Sequence, residues 1–103
     1  MTAPRRKPPT LSGKERIILE LLIAARGMYG LELVAASKRR LKRGTVYVTL
    51  GRMEDKGYIR SQLESAPADA GGLPRRIYEV TPLGRRVLDA FSELARLLPE
   101  FAR

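Results

Sequence analysis

The chain contains no cysteine and no histidine. Disulfide bonds, thiol nucleophiles, imidazole acid–base pairs and Cys/His zinc sites are therefore excluded. The remaining Glu, Asp, Lys, Tyr, Ser and Thr residues suggest no convergent catalytic set, so we expect neither enzymatic activity nor a cofactor. Apolar runs of the roughly 20 residues that cross a membrane are also missing, as is the apolar segment of a secretion signal. The sequence thus predicts a cytoplasmic protein with no membrane partner.

Acidic residues are scarce as well. The chain has 11 Asp and Glu residues against 20 Lys and Arg residues, which gives a formal net charge of +9 and a sequence pI of about 10.7. Such a balance suits a polyanionic partner, although basic surfaces also serve solubility or anionic membranes. Most of the excess lies in residues 1–43, and a chain of 103 residues is expected to form one domain with one modest core.

Residues 1–10 are rich in proline and hold three consecutive cations, so they are predicted to form a flexible basic arm. Contact with a nucleic-acid backbone and a role as a plain solvated tail both stay open for this arm. Ser12 and Glu15 have the spacing of a capping box and predict the start of a first helix. This helix carries apolar residues on more than one face, which suggests either cover by a second subunit or an isoleucine that is simply tolerated at the surface.

A short second helix over residues 31–37 is followed by a run of five cations and one leucine, Lys38 to Arg43. The stretch after it, residues 42–57, has helical periodicity with two faces. At about 100° per residue, one face should pack and the other should be exposed. The predicted packed face comprises Val46, Tyr47, Leu50 and Met53, and the predicted exposed face comprises Thr45, Val48, Thr49, Arg52 and Lys56.

After Gly57 the apolar period changes to two, which predicts strands over residues 58–64 and 75–80 joined by a flexible tip. Thr81 and Pro82 then predict the N-cap and first position of a closing helix. Its apolar residues repeat every three or four positions, as in a helix–helix seam. Packing on its own domain is the alternative, but a dimer seam is favoured. The predicted dimer interface comprises Ile17, Leu21, Val87, Phe91, Leu94 and Leu98.

This order of elements predicts a mainly α protein with a small antiparallel β-hairpin, in the α+β class. It is the order of a winged helix–turn–helix, expected over residues 11–81, with a C-terminal dimerisation helix over residues 82–103. The chain resembles the PadR family of transcriptional regulators across roughly residues 11–98. The segments that carry the resemblance are Tyr29-Gly30, Gly44-Thr45-Val46-Tyr47 with Leu50, Met53-Glu54, Lys56-Gly57-Tyr58-Ile59, Arg76-Ile77-Tyr78 and Thr81-Pro82-Leu83-Gly84.

Two features depart from the usual family pattern. Val48 stands where the family often has proline, and the C-terminal part is a single helix, as in the shorter subgroup. Ligand responses in the family often involve the dimer interface and the C-terminal region. This chain has little of that region and no tryptophan to stack an aromatic ligand, so a small-molecule inducer is unknown.

The resemblance implies a sequence-specific regulator of transcription that binds double-stranded DNA. It would act as a repressor, a homodimer on a pseudo-palindromic operator. The phosphate contacts expected ahead of the third helix are Lys38, Arg39, Arg40, Lys42 and Arg43. The residues expected to face the major groove are Thr45, Val48, Thr49 and Arg52. The predicted hairpin is the wing of this fold, and its Arg75 and Arg76 are expected to reach the neighbouring backbone or minor groove.

Tyr47 has two interpretations. It either buries its ring while its hydroxyl reaches a phosphate, which we prefer, or acts as plain core. The alternative function for the whole chain is a winged-helix module that binds an acidic protein, as an antirepressor or adaptor does. The predicted exposed face of the third helix has no aromatic anchor of the kind that dominates protein interfaces, which favours DNA.

Overall fold

The structure is a computed structural model that describes residues 8–64 and 75–101, apart from the side chain of Phe101. Most of the predicted arm and the whole predicted wing tip lie outside the described residues. The elements are, in order, α1 (Gly13–Ala25), β1 (Met28–Tyr29), α2 (Gly30–Ala36), α3 (Val46–Asp55), β2 (Ile59–Glu64), β3 (Arg75–Val80), α4 (Pro82–Leu97) and a short 3-10 turn (Pro99–Phe101). Four helices and one antiparallel sheet confirm the predicted α+β class.

The sheet has the strand order β1-β3-β2. Strands β2 and β3 pair in one register from Ile59 opposite Val80 to Glu64 opposite Arg75, which confirms the predicted hairpin. No strand is predicted from the sequence at β1, whose residues Met28 and Tyr29 pair with Tyr78 and Ile77. Two residues are too few to show the alternation on which a strand prediction depends.

The predicted helix boundaries rest on side-chain caps, and these caps are present. The Ser12 N–H donates to Glu15 Oε1 at 2.8 Å, and the Glu15 N–H donates to Ser12 Oγ at 3.2 Å. At the start of α4 the Gly84 N–H donates to Thr81 Oγ1 at 3.0 Å. Gly57, just after α3, has a φ of 80°, in the left-handed region that favours glycine. No helix within the described ranges is long and apolar enough to cross a membrane.

One core joins all four helices to the sheet. It includes Val87, which is only 5 % exposed and was expected at a subunit seam. That expectation is wrong for Val87, because α4 packs along α1 and its first half faces the core of its own chain. The buried apolar side chains are those of Ile18, Leu19, Leu22, Leu33, Leu41, Val46, Leu50, Met53, Tyr58, Ile59, Tyr78, Val87 and Leu88.

A buried ion pair, which we call the α1–α3 ion pair, links the first and third helices. The Glu15 side chain is 1 % exposed, and its two carboxylate oxygens lie 2.8 and 3.0 Å from Lys56 Nζ. Lys56 Nζ also donates to Thr10 Oγ1 at 3.0 Å. Lys56 was predicted on the exposed face of the third helix, and this prediction is wrong. The position is at the border of the buried face, so its long side chain reaches across to α1.

Candidate nucleic-acid interface

The turn between α2 and α3 is held by a buried serine and a buried leucine. Ser37 Oγ donates to the Val34 carbonyl at 2.8 Å and accepts from the Leu41 N–H at 2.9 Å. Ser37 is 1 % exposed, and the Leu41 side chain lies in the core. The single leucine in the run of cations is therefore the anchor of the turn, and the residues around it face outward.

Five cations of this turn, which we call the turn cations, are all exposed: Lys38, Arg39, Arg40, Lys42 and Arg43. None of them forms an ion pair with an acidic side chain of the residues that the structure describes. Lys38 and Arg39 have φ values of 54° and 73°, in the region that costs a residue other than glycine on the order of 1–2 kcal/mol. The turn thus presents concentrated positive charge at the surface.

The α3 helix has a buried inner face and an exposed outer face. The inner face includes Thr49, which is only 7 % exposed and whose hydroxyl donates to the Thr45 carbonyl at 3.3 Å. The expectation that Thr49 lies on the exposed face is wrong. Thr49 lies three residues after Val46 and four before Met53, so it shares the side of the helix on which both are buried. The outer face retains Thr45, Val48 and Arg52, together with Gly51.

Tyr47 departs from its prediction in the opposite direction. It was placed on the packed face, but it is 51 % exposed, so both the buried ring and the plain core role are wrong. Its ring lies against the backbone of Gly30, where a Cβ would come within 2.6 Å of the ring carbon Cε1 and 2.8 Å of the hydroxyl oxygen. A side chain at position 30 would require the Tyr47 ring to shift from this place, where it joins the start of α2 to the outer side of α3.

A surface pocket of about 310 Å³ opens between α2, α3, Tyr29 of β1 and the first residues of β3. The guanidinium carbon of Arg75 lies 4.3 Å from the centroid of the Tyr29 ring, in cation–π geometry. The Tyr29 hydroxyl donates a hydrogen bond to Glu64, and this bond is the main cause that raises the pKa of Tyr29. The residues that line the pocket are Tyr29, Gly30, Leu31, Glu32, Tyr47, Arg75 and Arg76.

A second set of hydrogen bonds fixes the wing to α3. Arg76 Nη1 donates to Ser61 Oγ at 3.0 Å, and Ser61 Oγ donates to Glu54 Oε2 at 2.7 Å. Burial, followed by the Glu54 carboxylate, raises the pKa of Tyr78. Sequence reasoning missed Ser61 and Glu54 as supports of Arg76. Their roles depend on the pairing of β2 with β3, which brings Ser61 opposite Tyr78.

The predicted dimer residues other than Val87 lie on the surface of α1 and α4. Ile17, Leu21, Phe91 and Leu94 are half-buried, and Leu98 is exposed. Leu97 next to it is 60 % exposed. The second half of α4 therefore carries apolar side chains that the described part of the chain covers incompletely. On its polar side, Arg96 donates to Glu93, which lowers the pKa of that carboxyl.

Three helices before a two-stranded wing, with cations at the entry to an exposed third helix, define a winged helix–turn–helix protein. The sequence model of the Transcriptional regulator PadR-like family matches residues 18–90, so the chain belongs to this family. The resemblance stated from the sequence motifs is thereby confirmed. No curated protein is significantly similar to the chain in sequence.

Solved structures agree with this assignment. A PadR family transcription regulator from Clostridium difficile R20291 is 27 % identical, with a TM-score of 0.71 over 86 % of this chain and 93 % of that one. A transcriptional regulator from Clostridium thermocellum is also 27 % identical, with a TM-score of 0.67 over 84 % of each chain. A padr family transcriptional regulator from Eggerthella lenta is 25 % identical, with a TM-score of 0.68 over 82 % of this chain and 73 % of that one.

Proposed function

We propose that this PadR-family regulator is a repressor that binds a pseudo-palindromic operator in double-stranded DNA as a homodimer. The observation that carries the proposal is the position of the turn cations. They are exposed and unpaired with acidic side chains of the described residues, and they lie at the entry to the exposed outer face of α3. A transcription regulator acts in the compartment that holds the genome, so the proposal includes a cytoplasmic location. It also includes the absence of enzymatic activity.

In this proposal the turn cations neutralise phosphates, and the outer face of α3 enters the major groove. Thr45, Val48 and Arg52 meet base edges there, with Arg52 as the best candidate for a guanine, since its fork pairs with O6 and N7 together. Thr49 supports the helix from its inner side. The exposed Tyr47 offers its hydroxyl to a phosphate, and Arg75 and Arg76 meet the neighbouring backbone.

The homodimer is proposed from the apolar surface of α1 and the second half of α4. Exposed apolar side chains that cluster on one face of a small domain are typical of an interface. A second copy of the chain offers the same surface, and a twofold dimer places two α3 helices for two half-sites. The proposed division of labour is that residues 11–81 bind DNA and residues 82–103 hold the dimer.

A protein-binding module is the second candidate, and one observation favours it. Tyr47 is exposed, so the outer side of α3 does have an aromatic residue of the type found at the centre of protein interfaces. The turn cations favour DNA, because five exposed cations clustered in one turn suit a polyphosphate backbone, whereas protein interfaces are typically centred on a desolvated anchor.

Selection from a random duplex library with the full chain separates the two candidates. The proposal predicts an enriched pseudo-palindrome whose half-sites lie about one helical turn, or a multiple of it, apart. Replacing Arg39 and Arg43 by Ala should weaken binding. Replacing Arg85 and Arg86 of α4 by Ala is the control, because it removes the same charge outside the proposed interface. Failure to enrich any duplex at low salt would refute the proposed function.

A further inference from the structure

The centre of the outer face of α3 is apolar, although the surface around it is basic. We propose that Val48 and Gly51 together form a notch that receives the C5-methyl group of a thymine in the major groove. This inference rests on the proposed function and adds to it the class of base that the apolar part of α3 reads.

Val48 supplies the wall of the notch. At 64 % it is the most exposed of the large hydrophobic side chains in the described part of the chain. A valine side chain forms no hydrogen bond, and its branched Cβ holds it in one rotamer on a helix. The apolar group that the major groove offers to such a side chain is the thymine methyl group.

Gly51 supplies the open side of the notch. It lies three residues after Val48, on the same side of the helix one turn further along. A Cβ at Gly51 would meet no atom within 4 Å, so no contact with the described residues requires glycine here. Because glycine destabilises the middle of a helix relative to alanine, its presence is a cost to the fold. The missing side chain lets a base edge approach the helix backbone.

Arg52 predicts which base should lie beside the thymine. It is exposed, follows Gly51 directly and lies four residues after Val48, so it lies beside the notch on the same side of the helix. If Arg52 pairs with a guanine, the thymine read by Val48 should lie within one or two base pairs of it. The selected half-site is therefore expected to contain an adjacent or near-adjacent thymine and guanine.

Single thymine-to-uracil replacements in the selected duplex test the notch directly. Uracil keeps the base pair and removes only the methyl group. At one thymine in each half-site, near the guanine, wild-type affinity should fall by about fourfold, the equivalent of one buried methyl group. Val48→Ala, which removes both γ-methyl groups, should reduce the difference in affinity between the thymine and uracil duplexes at that position. The other thymines serve as internal controls.

Gly51→Ala provides a second test, in which stability and DNA affinity should change in opposite directions. The variant should melt about 2–8 °C higher, since alanine favours the helix. It should also bind the selected duplex about fivefold more weakly or worse, because the added methyl group overfills the notch. Gly13→Ala is the matched control, since a Cβ there also meets no atom within 4 Å but lies at the start of α1. Its affinity should equal that of the wild type.

Two results would overturn the inference while leaving the proposed function standing. One is a selected duplex that binds tightly with no thymine sensitive to loss of its methyl group. The other is a sensitivity that is as large in Val48→Ala as in the wild type, since the methyl group would then contact another residue. A wild type that binds no duplex would instead refute the proposed function, and the notch with it.

Discussion

Cations lie at both ends of α3, Lys56 at its end and the turn cations ahead of its start, and they differ in what surrounds them. At the end of the helix, the partly exposed Lys56 reaches α1 and forms an ion pair with the buried Glu15. Ahead of the helix, the turn cations point outward and make no ion pair with the described acidic residues. Both groups appear in the sequence simply as lysine and arginine. Their surroundings assign Lys56 to the stability of the fold and the turn cations to a partner outside the chain.

This contrast predicts a large loss of stability at Lys56 and almost none in the turn. Lys56→Met leaves the Glu15 carboxylate buried and unpaired, which should cost about 3 kcal/mol, the low end for a broken buried pair, because Lys56 is partly exposed. Lys42→Met is the matched control on the turn, where the expected change in unfolding free energy is within about 0.5 kcal/mol. Urea denaturation followed by circular dichroism measures both.

The same comparison becomes sharper with a double variant. Glu15→Gln with Lys56→Met removes both charges of the α1–α3 ion pair but keeps a side-chain oxygen for the Ser12 N–H. It should therefore recover the stability that Lys56→Met loses through the uncompensated charge. A double variant that recovers most of the loss would assign the cost to the uncompensated charge. Equal losses in Lys56→Met and Lys42→Met would contradict the distinction between the two groups of cations.

The apolar residues of α4 show a parallel contrast, which Leu94→Asp tests. Val87 is covered by its own chain, whereas Leu94 is only half-buried and Leu97 is mostly exposed. A carboxylate in the proposed dimer seam should cost about 1–3 kcal/mol for each subunit. Light scattering at micromolar concentration should report a dimer for the wild type and a monomer for the variant. A wild-type mass near the 11.5 kDa of one chain would refute the seam.

Within the proposed interface, replacing Arg52 and replacing Arg39 should have different kinds of effect on DNA binding. Arg52→Ala is expected to relax base preference at one position in each half-site, at a cost of about 1–3 kcal/mol against the preferred base. Arg39→Ala should weaken all sequences about equally, since a phosphate carries no base identity. Repeating the selection with each variant measures the difference. An unchanged motif for Arg52→Ala would show that Arg52 reads no base.

The errors of the sequence prediction lie at the borders of faces. Caps, the two hairpin strands and the α+β class follow from local patterns that the chain satisfies within a few residues. Tyr47 and Thr49 exchanged their expected exposures, because a helical wheel gives angles but not the width of the surface that packs against it. The burial of Val87 depends on how α4 crosses α1, and the Glu15–Lys56 contact joins residues 41 positions apart. No local pattern contains either piece of information.

The salt dependence of duplex affinity tests most directly whether the turn cations bind the DNA backbone. Anisotropy titrations of the selected duplex over a range of salt concentrations should give a slope of log K against log salt on the order of −5 to −10 for a dimer. Replacing Lys38, Arg39 and Arg43 by Ala should make the slope shallower by about one unit for each phosphate that is no longer neutralised, whereas replacing Arg85 and Arg86 should leave it unchanged. A wild-type slope near zero, or the same slope in both variants, would contradict the assignment of the turn cations to the DNA backbone.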